Sequence, residues 1–319
     1  MDKKTAILLQ RYTDNPRITG SELSSELKLS KNAVLERIKH LKEKKVILGS
    51  TCFLNYFKLG YSQYLFFIKS SSFYQKKDFL KELKLDCVLE ILSLYGKYNL
   101  YIKFISLNEE HKQKFIEHVL ETLDVEDYEI VTITQYDLKP AKKYLSEHKS
   151  IPINYFPSNF NEKEFVYDKL DLQFLKELTK NSEQSLVSIS QKLNTTAQVL
   201  TYRLRRLINE NIIIQLYGIT EIFNSEIQLY FLRFELTKPT QSKKLFRQLI
   251  ADENIQDISL LEHKSNFFCV LEANSRQQTI KFIQNLLKVN SNIKSIELDV
   301  FSDQVYYNLF PKILESKNN

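Results

Sequence analysis

The chain has 319 residues, 43% of them hydrophobic, and a net charge of +6. That is long enough for two or more domains with cores of their own, and the charge is a weak pointer to a polyanionic partner. No apolar run approaches the roughly 20 residues of a membrane-spanning helix, and the opening MDKKTAILLQRY lacks the apolar segment and cleavage site of a secretory signal. Cys52, Cys87 and Cys269 are too few and too scattered for a disulfide framework or a metal cluster, so the expectation is a cytosolic protein with no metal, no cofactor and no membrane partner.

In chain order, Thr19 to Leu29 reads as a short helix capped by Thr19, with Leu23 and Leu27 inward. Ser30 is a good N-cap for the next helix, in which Val34, Ile38 and Leu41 recur at helical spacing as one buried stripe. Two short helices in this order, the second with a basic and amide-bearing outer face, suggest a helix-turn-helix whose second helix lies in a DNA major groove. A plain helical hairpin with a solvated charged face is the alternative. The run Val46 to Phe53 tips the balance, because it is β-branched, contains Gly49 and reads as a winged hairpin closing the unit. Charge agrees with this, since residues 1–50 hold eleven Lys/Arg against six Asp/Glu, the footprint expected of phosphate contact. Part of that signal is discounted, because abundant Lys, Asn and Ile with few Gly is the bias of an AT-rich genome.

After the wing, Tyr64 to Lys69 is an aromatic and β-branched strand, Lys76 to Leu85 a helix, Val88 to Tyr95 a strand, and Gly96 to Asn99 a turn. Leu100 to Ser106 continues as a strand, Asn108 caps a second helix, and Tyr128 to Tyr136 closes the unit. The order βαββαβ is ferredoxin-like. Slid against itself by 166 positions, the chain matches again: Asp2 falls on Asp168, Leu23 on Ile189, Arg37 on Arg203, and Ile47 on Ile213. The second βαββαβ follows at an offset of 167. The reading is an α+β protein with two winged helix-turn-helix units, at 1–54 and 165–220, each followed by a βαββαβ unit, at 55–138 and 221–319. A proline-bearing linker occupies 139–164.

The NPRIT stretch from Asn15, the SELSSEL and LSKNAVLERIKHL helices, KVILG, Leu59-Gly60-Tyr61 and the Gly96-Lys-Tyr-Asn-Leu turn together resemble the leucine-responsive regulators, the Lrp/AsnC family. The doubled arrangement is similar to longer archaeal members. The resemblance implies a transcriptional regulator, not an enzyme, that binds double-stranded DNA. Its βαββαβ units would pair within one chain, with self-association beyond that pair also open. Two recognition helices would then face successive major grooves, roughly 34 Å apart.

On the first recognition helix Lys31, Asn32, Arg37 and His40 are expected to face DNA, with Lys39, Lys42 and Lys44 near phosphates. A salt bridge between Arg37 and a nearby acid is the plainer alternative. On the second helix Gln198, Tyr202, Arg203 and Arg206 take the outward positions, with Arg205 close by. Ala197 replaces Lys31 and Tyr202 replaces Glu36, so two half-sites would differ, or the second unit would mainly pack. The family sometimes binds an amino acid at a turn where Gly is followed three residues later by Asp. Here Gly96 is present but Asn99 replaces the Asp, and the second copy reads His263-Lys-Ser-Asn266, so both turns also read as plain tight hairpins. Two further readings stay open: a tetrapyrrole decarboxylase of the same fold, which would use Arg and His at the domain cleft, and an architectural or protein-binding paralogue.

Overall fold

The computed structural model describes residues 2–71, 79–138, 166–220, 228–238, 242–252, 254–262 and 267–316. The expected linker and Asn266 lie outside the described residues. The first half runs α1 (Lys3–Asp14), α2 (Gly20–Leu27), α3 (Lys31–Glu43), β1 (Ile47–Leu54), β2 (Ser62–Ser70), α4 (Phe79–Glu82), β3 (Val88–Tyr95), β4 (Leu100–Ser106), α5 (Glu109–Thr122) and β5 (Val125–Leu138). The second half repeats that order as α6 (Lys169–Lys180), α7 (Leu186–Lys192), α8 (Ala197–Asn209), β6 (Ile213–Thr220), β7 (Gln228–Leu236), α9 (Ser242–Ala251), β8 (Ile255–Leu261), β9 (Phe267–Ala273), α10 (Arg276–Val289) and β10 (Ile293–Tyr307). A final short helix, α11 (Ile313–Ser316), follows.

The winged-helix units are built from local signals that recur in both copies. Thr19 and Glu22 form a reciprocal capping box at the start of α2, and Ser30 and Thr196 cap α3 and α8. Lys28 and Asn194 both adopt φ 51, and Lys45 and Asn211 both adopt φ 56. Left-handed backbone is uncommon for residues other than glycine. Its recurrence at the same two turns shows that the copies share backbone path as well as pattern. Leu23, Leu27, Val34 and Leu41 close a small core with Leu8, Leu9 and Tyr12.

One expectation changes here. The run after α3 does not fold back as a hairpin in its own unit. Instead β1 pairs antiparallel with β6, and the two wings become one ribbon that stitches the halves together. Each strand's open edge is thereby satisfied by the other half. Gly218 permits this, because a Cβ there would stand 2.4 Å from the Tyr12 carbonyl oxygen, and β6 could not lie against α1.

Below the ribbon the two βαββαβ units join edge to edge. Their eight strands close in the order β10-β3-β4-β2-β5-β8-β9-β7, with every pairing antiparallel. Strand periodicity sends alternate side chains to opposite faces. Phe66, Ile91 and Phe104 meet the core that includes Phe115 of α5, while Phe67, Leu92, Tyr101, Phe231 and Phe268 meet in a central core between the halves. On the far side Leu232, Phe234 and Phe267 meet Leu245, Phe246 and Leu286 of α9 and α10. The barrel interior is therefore shared property of both halves.

Candidate functional site

Three places hold the chemistry: the outer faces of α3 and α8, the Gly96 turn, and a cavity beneath the ribbon.

On α3 the side chains of Lys31, Asn32, Lys39, His40, Lys42 and Lys44 are exposed, and on α8 those of Gln198, Tyr202 and Arg205. The other predicted contacts are turned to internal work. Arg37 donates to both carboxylate oxygens of Asp2, at 2.9 and 3.2 Å, and to the Thr5 hydroxyl at 2.8 Å. The Thr5 hydroxyl and N–H, with Arg37 behind them, hold the Asp2 carboxyl well below the usual range. Arg203 does the same in the second half, bonding Asp168 at 2.8 Å and the fully buried Asp171 at 2.7 Å, while Arg206 also reaches Asp171. These arginines brace the recognition helix against the first helix of its unit. The acid partner was visible in the repeat, because Asp2 and Arg37 recur together as Asp168 and Arg203. Lys42 points to the other half, where its ammonium lies 2.7 Å from Glu183, which also accepts from the Tyr12 hydroxyl at 2.9 Å.

At the Gly96 turn, Asp299 of the other half takes the central place. Its Oδ1 accepts from the Lys97 N–H at 2.8 Å, and a Cβ on residue 96 would come within 2.1 Å of it. Asn99 faces its own unit, accepting from the Ser70 N–H at 3.0 Å and donating to the Ser70 carbonyl at 2.7 Å. Beside Asp299 lies Arg233, 1% exposed and packed over the rings of Phe67 and Tyr98 at 4.5 and 4.6 Å. It pairs with Glu129 at 2.8 Å, Glu297 at 2.7 Å and Asp299 at 3.1 Å. Burial pushes the Asp299 carboxyl up, opposed by Arg233 and by the N–H groups of Lys97 and Tyr98. The turn that the family resemblance marks for an amino acid is thus filled by a carboxylate and a guanidinium from within the chain.

The third place was not foreseen. Between the ribbon and the barrel lies a cavity of about 440 Å³, roofed by Thr51 and Phe53 of β1 and Tyr217 and Ile219 of β6. Tyr101, Phe231 and Phe268 form part of its wall, with ring centroids 5.5 to 5.8 Å apart. Among the described residues two carboxyl groups and one ammonium also line it. Lys103 stands 3.9 Å from Asp257, and Glu90, its register partner on β3, accepts from Gln304 at 3.3 Å. Burial raises the Glu90 carboxyl to about 7, against the pull of Lys103 and with the push of Asp257. Charged residues at inward positions of apolar strands, as in LYIKFIS and VLEILSLY, were the signal in the sequence.

The fold and these sites define a protein with two winged-helix units on a closed eight-stranded barrel. Residues 1–47 and 167–214 each match the winged helix-turn-helix DNA-binding family. No curated protein matches the chain. Among solved structures, siroheme decarboxylase NirDL aligns over 98% of both chains at 11% identity with a TM-score of 0.66. The same enzyme in complex with an iron-uroporphyrin III analogue aligns over 99% of both at 12% identity, TM-score 0.64. AsnC of E. coli covers 45% of this chain and 97% of its own, at 12% identity and a TM-score of 0.40. The expectation that such a chain is not an enzyme is overturned by the first two, since the end-to-end match to this architecture is a catalyst.

Proposed function

We propose that the chain is a DNA-binding transcriptional regulator, a tandem duplication that presents two unlike winged helices from one polypeptide. The observation that supports this best is the double match to the winged-helix DNA-binding family, on units whose outward helix faces still offer base- and phosphate-seeking groups. Asn32 suits an adenine edge and Arg205 a guanine edge, while Lys31, Lys39 and Lys44 suit phosphates. Arg37 and Arg203 are positioning residues. They fix the angle of α3 and α8 through the ion pairs behind them. An amino-acid effector at the Gly96 turn would have to displace Asp299, so that turn is read as a built-in junction.

An iron tetrapyrrole, the kind of ligand carried by the NirDL complex, fits the cavity poorly. Among the described residues its lining has no histidine, cysteine, methionine or arginine, and it sets two carboxyl groups beside one ammonium. A macrocycle fringed with carboxylates would be repelled there. Mixing the protein with sirohaem separates the two readings: a Soret band shifted from its position in buffer would favour an enzyme of the NirDL kind.

The test of DNA reading is selection from a random duplex pool at two salt concentrations, with Asn32→Ala and Arg205→Ala in parallel. A two-part motif is expected, one part relaxed by each variant, with log affinity falling by roughly 0.9 per phosphate contact for each log unit of salt. If no sequence is enriched at either salt, specific regulation is wrong for this chain.

A further inference from the structure

We infer that the outer face of α10 in one copy docks on the outer face of α5 in a second copy, joining chains head to tail through opposite charge. The two helices are equivalents, 167 residues apart, and cover different cores of the barrel, so within one chain they are held apart. Their exposed sides differ in sign. α10 carries Arg276, Lys281 and Lys288 and no acidic residue, and α9, which packs on the same core and also lacks acids, adds Lys244 and Arg247. All five side chains are exposed, and none is in an ion pair among the described residues. On α5 the exposed side carries Glu109, Glu110, Glu117 and Glu121. Lys112 and Lys114 pair with the first two, which leaves a surplus of two carboxylates. The outward positions that hold Arg276, Gln284 and Lys288 on α10 therefore hold Glu109, Glu117 and Glu121 on α5.

Apolar side chains on the same face favour a protein partner over a polyanion. Ile280 and Leu287, two helical turns apart, are 43% and 44% exposed and run beside Lys281 and Lys288. A phosphate backbone offers nothing to bury them against. On α5 the matching position of Leu287 is Leu120, partly buried and three residues from Glu117. Two helix faces make a small interface, so the contact is weak and screened by salt. Each copy keeps one face of each sign free, which makes the contact heterologous and adds copies in a row. A row of copies carries its winged helices at a fixed repeat and suits targets repeated along one duplex. That consequence rests on the DNA-binding reading, whereas the contact itself does not.

The experiment is analytical ultracentrifugation of the full chain at high protein concentration, in roughly 0.05 and 0.5 M salt. The mean mass is expected to reach at least about twice the monomer's at low salt and to fall back at high salt. Lys281→Glu combined with Lys288→Glu should stay monomeric, as should Glu117→Lys combined with Glu121→Lys. An equimolar mixture of these two variants should associate again, because each offers the other the sign it has lost. Both keep a net positive charge, so bulk attraction does not imitate that result. A monomer at low salt would overturn the inference, as would association of either variant alone or a mixture that stays monomeric. Loss of non-specific duplex binding in the lysine variant, with self-association unchanged, would overturn it too and assign the face to nucleic acid. The salt dependence of the unmodified chain keeps the inference open to refutation even if a variant fails to fold.

Discussion

Phe67 of the first half and Arg233 of the second sit at the same point of equivalent strands, 166 positions apart, yet one is an apolar wall and the other the hub of a buried ion cluster. Thr5 and Asp171 differ in the same way beneath the recognition helices, and Lys103 and Val270 inside the barrel. In each case the polar member is satisfied partly or wholly by residues its counterpart lacks. Arg233 needs Glu129 from the first half, and Lys103 lies against Asp257 from the second. Repeating a backbone does not keep the copies interchangeable. Once charges are paired across the seam, neither half closes its interior alone.

Swapping residues between halves tests this. The largest effect is expected for Arg233→Phe, which gives the second half the first half's residue and removes the guanidinium shared by Glu129, Glu297 and Asp299. A loss of about 3–5 kcal/mol in urea unfolding is expected, shrinking in acid as those carboxylates protonate. Asp171→Thr removes a fully buried acceptor shared by Arg203 and Arg206, and should cost about 2–3 kcal/mol. Thr5→Asp in the first half should change melting little.

Glu90 should be legible in pH dependence. Its carboxyl is raised from 4.5 to about 7 in the folded chain, so the folded state holds that proton more tightly than the unfolded state does. The resulting stability is full below pH 4.5 and is lost as pH rises through 7, an effect of order 2 kcal/mol. Glu90→Gln should flatten the denaturation midpoint across that window, and an unchanged slope would mean Glu90 is not enclosed. The smallest effect is expected for Arg37→Ala. The ion pair with Asp2 is partly exposed, so less than about 1 kcal/mol is lost, and affinity for the selected duplex, measured by filter binding, should fall less than with Lys39→Glu.

Much of the fold could be read from residue order. Ser30 caps as expected and Thr196 does the same in the second copy, and Val34, Leu41, Leu200 and Leu207 are buried. Local signals specify local structure, and a repeat doubles their weight. The ribbon could not be read, because pairing β1 with β6 depends on which edge lies nearby, and nothing in VILGSTCF distinguishes a partner in its own unit from one 166 residues away. The site was read less well for a related reason. Spacing showed Arg37 and Arg203 on the outer side of the stripe, yet a long side chain can curl back to an acid at the start of another helix. The cavity depends on how two sheets meet, which no single segment encodes. Its trace was only that Glu90, Lys103 and Asp257 fall on inward positions.

The ribbon has one more consequence, for behaviour on dilution. Two heads held by separate subunits part company when the protein becomes scarce, and their joint hold on a target weakens steeply. Here both heads travel on one covalent chain, so the local concentration of one near the other is set by geometry and not by copy number. Occupancy of a two-part target should therefore rise with the first power of protein concentration, even at a few molecules per cell.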